Sequence, residues 1–275
     1  MGDDQADQSG SIYSFGETNL AAERLRIVSE VFDSTSEAFL CETVRNRPRL
    51  AIDLGCGPGF TTRLLSRIAR PERTVGVDRS EAFLSRARAS AVAGEEYVAA
   101  DVAGMALRIA GVRAQPDLIY ARFLASHLPQ PEQAISDWAK ELEPGGLLLV
   151  EEVDSISTNV AAFDAYLRIV SELLAQHGNE LFVGARLATT RWDADLRTEV
   201  NRATEVRPTT GQAARMFSMN LPNWRRDPFV EAAYAPEKLK RLAVELDRFT
   251  AFADTGRIVW KMRQITLRLE GKSCP

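Results

Sequence analysis

Histidine is nearly missing from this chain. Its 275 residues carry two, His127 and His177, beside three widely separated cysteines, Cys41, Cys56 and Cys274. No metal-ligand spacing can be drawn from them, so a metal site is not expected. An odd cysteine count, with one thiol inside a glycine turn, suggests a reducing compartment. The first twenty residues hold no continuous apolar segment, which argues against a secretory signal, and no apolar run is long enough to span a bilayer. A cytoplasmic location is expected. An excess of one charge is lacking too: 34 Lys+Arg against 38 Asp+Glu leave a net charge of -4. That balance gives no electrostatic reason for a nucleic-acid partner, and Arg225-Arg226, followed by Asp227, is too short to be a basic patch. Internal repeats and low-complexity tracts are absent.

What is present reads as one soluble globular domain, with 45% hydrophobic and 26% charged residues. Residues 1–10 are polar and acidic, an expected disordered tail. Between Asn19 and Val44, apolar residues recur at helical intervals, which predicts one or two helices. Strands are then predicted at Arg49–Leu54, Thr74–Asp78, Tyr97–Asp101, Asp117–Arg122 and Gly146–Glu151. Helices fall between them, among them Ser80–Ala91 with Ser80 as N-cap and Pro131–Leu142. Such alternation implies an α/β, doubly wound, mostly parallel sheet with ligands at the carboxyl ends of its strands. After Asp154 the rhythm changes. Helices are predicted at Val160–His177, Arg186–Leu196, Thr210–Asn220 and Pro236–Phe252, strands at Thr198–Val206 and Ile258–Leu269, and a turn-rich insertion at Leu221–Pro228. The domain at 11–275 divides into an N-terminal helical lid (11–47), a cofactor-binding core (48–154), a helical substrate cap with one sheet strand (155–230), and a final helix and strand (231–275).

The most informative stretch is Leu50-Ala-Ile-Asp-Leu-Gly-Cys-Gly-Pro-Gly-Phe60. An apolar run ends in a carboxylate, and Gly55, Gly57 and Gly59 then fall on alternate positions before a helix. Glycine lets the chain take positive φ and lets a ligand approach the main chain. The spacing differs from the Gly-x-Gly-x-x-Gly of diphosphate-binding turns, and a carboxylate there suits an ammonium group and hydroxyls rather than a phosphate. Asp53, Asp78 and Asp101 stand at three successive strand ends. Asp78 could accept both protons of a ribose diol, and Asp101 the proton of an adenine amine. The Val102 N–H could donate to the ring, with Arg79 and Phe83 flanking the base. The ligand this suggests is S-adenosylmethionine. A single strand-end Asp is ordinarily a turn or cap residue; the weight lies in the set.

On these motifs, with Val75-Gly76-Val77-Asp78-Arg79-Ser80, Tyr97–Val102, Asp117–Arg122, Ser126-His127-Leu128-Pro129 and Leu142–Gly146, the chain resembles the class I S-adenosylmethionine-dependent methyltransferases, in the branch acting on small molecules. The resemblance covers roughly residues 12–155 and, more loosely, the rest of the chain. It implies a Rossmann-like fold and in-line methyl transfer to an O, N or C atom, leaving S-adenosylhomocysteine. Gly55, Cys56 and Gly57 would line the methionyl part, with Asp53 near its amino group. Tyr13, Phe15 and Arg24 are candidates for an N-terminal closure, with Tyr13 over the sulfonium and Arg24 on the cofactor carboxylate; the alternatives are an aromatic staple and a solvated helix charge.

Transfer from an activated sulfonium asks chiefly for positioning and exclusion of water, and no catalytic residue stands out. His127 could be a base, a substrate contact or a loop anchor. His177 complements a helix C-terminus. Arg122, at a strand end, would face the cleft near the cofactor and could hold an anionic acceptor, and at least one of Glu151, Glu152 and Asp154 should point there too. Trp192, Met216, Phe217, Met219 and Trp224 read as core, or as a lid over an apolar or aromatic acceptor. The partners expected are thus a small-molecule acceptor, no nucleic acid and no membrane, with a homodimer open. The alternatives are a cofactor-binding protein without transferase activity, a methyltransferase of a macromolecule, and a nicotinamide-dependent oxidoreductase.

Overall fold

The structure is a computed structural model that describes residues 18–103, 112, 114–251 and 256–271. The tail at 1–10, Tyr13, Phe15 and Cys274 lie outside the described residues.

The central strands are built from near-continuous apolar runs, as strands covered on both faces require. β1 (Leu50–Leu54) is buried at every position, and so is β4 (Leu118–Arg122). With β2 (Arg73–Asp78), β3 (Glu95–Ala99), β5 (Leu147–Thr158), β6 (Leu196–Val206) and β7 (Ile258–Leu269) they form one sheet of order β3-β2-β1-β4-β5-β7-β6. The pairs from β3 to β5 are parallel; β7 runs antiparallel to both β5 and β6. Strand order reverses between β1 and β4, so the crevice beyond their carboxyl ends is where such a sheet offers a ligand site.

Helices cover both faces. α2 (Phe60–Ala69), α3 (Glu81–Ala89) and α4 (Pro131–Lys140) follow β1, β2 and β4. Ser80 caps α3, its side chain accepting from the Phe83 N–H. A single long helix, α1 (Asn19–Thr43), precedes β1. Its Ala21 and Ala22 pack on Phe83, its Val31 and Phe32 join the C-terminal helices, and its Phe39 and Leu40 join Ala51, Leu65 and Tyr120 under the sheet. α1 therefore ties three clusters together across the crevice. α5 (Ala161–Gln176), α6 (Val183–Leu187), α7 (Thr210–Trp224), α8 (Pro228–Ala233) and α9 (Pro236–Ala251) follow β5.

Three boundaries depart from the sequence expectation. The helix predicted at Arg186–Leu196 is only α6, ending at Leu187. The polar stretch after it turns, the Leu196 N–H bonding the Asp193 carbonyl as β6 begins. α7 runs on through Pro222 to Trp224, because Leu221 and Trp224, 3% and 1% exposed, keep that last turn on the core. β5 continues seven residues beyond Glu151, since β7 pairs with it as far as Thr158. Glu151 and Glu152 are consequently mid-strand residues on opposite faces.

Candidate active site

The glycine turn is shaped by its own amides. The Gly55 and Cys56 N–H groups both donate to the Val77 carbonyl (2.8 and 3.0 Å), and Gly59 N–H donates to the Cys56 carbonyl (3.0 Å). Gly57 N–H donates to Asp78 Oδ2 (2.8 Å), while Ser80 N–H donates to Asp78 Oδ1 (2.8 Å). Donors that a diphosphate would need thus point into the protein, and a carboxylate borders the opening. Gly55 has φ 68°, and a Cβ there would meet Leu124 Cδ1 at 3.0 Å. Only glycine gives this turn its shape.

The turn opens onto a cavity of about 300 Å³. Gly55, Cys56, Gly57, Asp78, Arg79 and Phe83 border one side of it, as do Asp101 and Val102. Asp101 turns its Oδ1 to the Ala103 N–H (2.9 Å). Arg24 of α1 also borders the cavity, and so does His127. Burial, with Arg24 and Arg79 nearby, pushes the His127 imidazole down to about 3. It stays neutral across the ordinary range and is a weak base. The Cys56 thiol is pushed up by burial and by Asp53 and Asp78, which makes it inert.

Several candidate residues lie elsewhere. Asp53 is 1% exposed and stands behind the turn, where its Oδ2 accepts from the Thr61 and Thr62 hydroxyls, both at 2.7 Å. Burial pushes it up to about 6. Its place is that of a clasp between β1 and α2, not of the cavity wall. Gly59 faces Tyr97 and Ala87, with a built Cβ 2.7 Å from Tyr97 Oη. Arg122 borders the cavity but turns its guanidinium to α1, pairing with Asp33 (3.1 Å) and donating to Ser36 Oγ (2.9 Å). It is not available to hold an anionic acceptor.

None of the three acids of β5 borders the cavity. Glu151 accepts from Tyr120 Oη (2.5 Å) and Gln264 Nε2 (2.8 Å), and Asp154 pairs with Arg263 (2.7 Å). Glu152 Oε1 accepts from the Leu124 and Ala125 N–H groups (2.7 and 2.6 Å). Burial raises its carboxyl to about 8 against the pull of those amides. Glu152 anchors the cavity-lining turn that carries His127, in a 3-10 turn at Ala125–His127.

Opposite the glycine turn the wall is apolar. Phe32 of α1, Phe123 after β4, Val153 and Ile156 of β5, Met216 and Phe217 of α7, and Trp260 of β7 all face the cavity. Phe123 holds φ 57°, a conformation a bulky residue adopts only where surroundings impose it. Its ring meets Phe32 edge-on at 5.0 Å. Of these, only Met216 and Phe217 carried a signal in the sequence. The others lie on elements that reach the cavity through tertiary packing.

Residues 52–150 match the family described as a methyltransferase domain. Among curated proteins, the chain is 37% identical over 110 residues to the trans-aconitate 2-methyltransferase of Methylobacterium radiotolerans, covering 40% of each chain. Against that of Variovorax paradoxus it is 36% identical over 104 residues, covering 38% of each. The chain thus spans about two fifths of these relatives' length. Among solved structures it resembles the plantazolicin methyltransferase BpumL in complex with SAH (TM-score 0.52, 12% identity, 91% of this chain and 87% of that one). It also resembles YcgJ of Bacillus subtilis (TM-score 0.54, 13% identity, 86% and 99%). The family match thus spans residues 52–150, a methyltransferase domain, and the solved structures share its fold, with the sheet order described above. No described helix is long and apolar enough to cross a membrane.

Proposed function

We propose that the protein transfers a methyl group from S-adenosylmethionine to a small, largely apolar acceptor. The observation that carries this is a single cavity with two unlike walls. One is a glycine turn whose amides are turned inward beside a carboxylate; the other is a chamber of aromatic and aliphatic side chains. The first suits a nucleoside bearing hydroxyls and a cation, and the fit is chemical: Asp78, which accepts two amides, borders the cavity with a carboxylate of the kind that meets a ribose diol. Phe83 and Val102 offer apolar contact to a base and Asp101 an acceptor for its amine. Arg24 stands where a cofactor carboxylate could pair with it.

S-adenosylmethionine, when bound, supplies an already activated methyl group. The chain's own part is then to orient and to exclude water. α1, with Arg24, Leu25 and Phe32 on the cavity, covers the crevice. The apolar wall lowers the local dielectric and holds the acceptor against the turn. Among the described residues bordering the cavity, none is a strong general base on the apolar side. That favours an acceptor atom already nucleophilic, or a hydroxyl of low pKa.

S-adenosylhomocysteine at a hundredfold excess over its dissociation constant should stabilise the protein by about 2.7 kcal/mol, read as a rise in melting temperature. Asp78→Asn keeps the side chain's size and removes its charge. It should weaken that ligand by roughly tenfold, the worth of about one charge-assisted hydrogen bond. An undiminished shift in the variant would overturn the assignment of Asp78 to the nucleoside.

A further inference from the structure

The apolar chamber has one polar pole. Tyr166 of α5 and Asn220 of α7 both border the cavity and are 3% and 4% exposed. Asn220 Nδ2 donates to Tyr166 Oη at 2.8 Å. Among the described residues, Asn220 Oδ1 has no hydrogen-bond partner. The Trp224 ring, which does not border the cavity, lies 5.6 Å from that of Tyr166. Buried polar atoms are ordinarily paired, and an orphan acceptor on a residue of the cavity wall marks where a ligand's polar group belongs. Because Tyr166 Oη already receives the Asn220 N–H, its own proton is directed at a second oxygen. Burial keeps that phenol protonated, a donor and not a base.

Around this pole the surface is hydrocarbon. Phe217 stacks on Tyr166 with centroids 4.1 Å apart, Trp260 lies 5.9 Å from Phe217, and Leu167 and Val170 complete the wall. Resting on the reading of this chamber as the acceptor's half of the site, we infer that the acceptor is an uncharged, mainly apolar molecule of aromatic size whose hydroxyl donates to Asn220 Oδ1 and accepts from Tyr166 Oη. A hydroxyl is the simplest group that does both. A carboxylate can give nothing to Oδ1; Arg122 is engaged by Asp33, and Arg24, whose charge reaches Tyr166, is the residue read here as meeting the cofactor carboxylate. Asn220 and Tyr166 are then specificity-determining residues. A polycarboxylate acceptor such as trans-aconitate is disfavoured by the same chemistry.

The test is calorimetric titration of the full chain with 2-naphthol, 2-methylnaphthalene, 2-naphthoate and trans-aconitate, each with and without S-adenosylhomocysteine. Wild type should bind 2-naphthol roughly tenfold tighter than 2-methylnaphthalene, the factor of one ordinary hydrogen bond, and should bind both carboxylates more weakly. Asn220→Leu and Tyr166→Phe should each remove most of that preference. If Asn220→Leu fails to fold, Tyr166→Phe, which keeps the stacked ring, decides. Equal affinities in wild type, no binding of any naphthalene, a preference intact in the variants, or tighter binding of either carboxylate overturns the inference. The separate titration with S-adenosylhomocysteine alone reports on the nucleoside wall. Its failure would sink the cofactor reading while the naphthalene comparison still judges the chamber.

Discussion

Glu152 shows how one buried carboxyl can set both the shape of a cavity and a pH dependence. Its Oε1 holds the Leu124 and Ala125 amides, while Oε2 is buried with no partner among the described residues. A folded-state value raised from 4.5 to about 8 means that the native state holds a proton the unfolded chain has already released between those limits. Stability from this group is therefore complete at low pH and lost as pH rises through about 8. Glu152→Gln keeps an acceptor for the two amides and cannot ionise. Its melting temperature should fall less steeply than that of wild type between pH 6 and 8, a window above the Asp53 value of about 6. Parallel curves for the two proteins would show that Glu152 does not titrate there. Asp53 makes a related point. A strand-end acid beside a glycine turn reads as a ligand contact in sequence, yet two hydroxyls from the first turn of α2 claim it. Those hydroxyls, Thr61 and Thr62, follow it closely in the chain, but their direction depends on where α2 packs.

Among elements, the short helix α6 is fitted to β5 by one residue. A Cβ at Gly184 would lie 2.7 Å from the Val153 carbonyl oxygen and 2.9 Å from Arg263 Cβ, and neither is a flexible side-chain end. Gly184→Ala should destabilise by about 1–3 kcal/mol through overpacking, seen as a lower urea midpoint with unchanged slope. Gly145→Ala has φ 89° but nothing within 4 Å, so it should cost only the backbone term of about 1 kcal/mol. Equal losses in the two variants would argue against the close contact. Val153 borders the cavity and lies at a register shift in the β5–β7 pairing. The Gly184 contact thus bears on the cavity's apolar wall as well as on stability. Nothing in the local sequence around Gly184 announces this, since a glycine in a five-residue helix also reads as a loop.

At the scale of the molecule, α1 is held to the sheet by a buried charge. Arg122, with a side chain 3% exposed, meets Asp33, whose side chain is 31% exposed, and Ser36. Asp33→Ala leaves the guanidinium buried without its partner, a loss of about 3–5 kcal/mol where no other group takes over. With Ser36 and the nearby Glu151 charge remaining, the lower end is expected. The double variant Asp33→Ala/Arg122→Met should recover much of the loss, because the apolar pair has no charge to desolvate. Additive losses in a denaturation cycle would show that the two residues are not coupled. As α1 also carries Arg24, Leu25 and Phe32 to the cavity, Asp33→Ala should weaken S-adenosylhomocysteine as well.

The glycine-turn half of the cavity was legible from the amino acids in order because its parts are local. An apolar run, a glycine turn and the next strand's acid lie within thirty residues, and parallel strands joined by helices bring such turns to one edge. Residues 50–59 and Asp78 needed no knowledge of the rest. The apolar half is assembled from α1, β5, α5, α7 and β7, which span more than two hundred positions. Which faces of those elements meet is a matter of packing, and pattern alone cannot tell a core aromatic from a cavity-lining one. Thus Trp260, Tyr166 and Asn220 reach the cavity, while Glu151, Glu152 and Asp154 are drawn away to Tyr120, the Leu124–Ala125 amides and Arg263. A buried charge goes to whichever partner the fold sets nearest, and that proximity exists only once the chain has closed on itself.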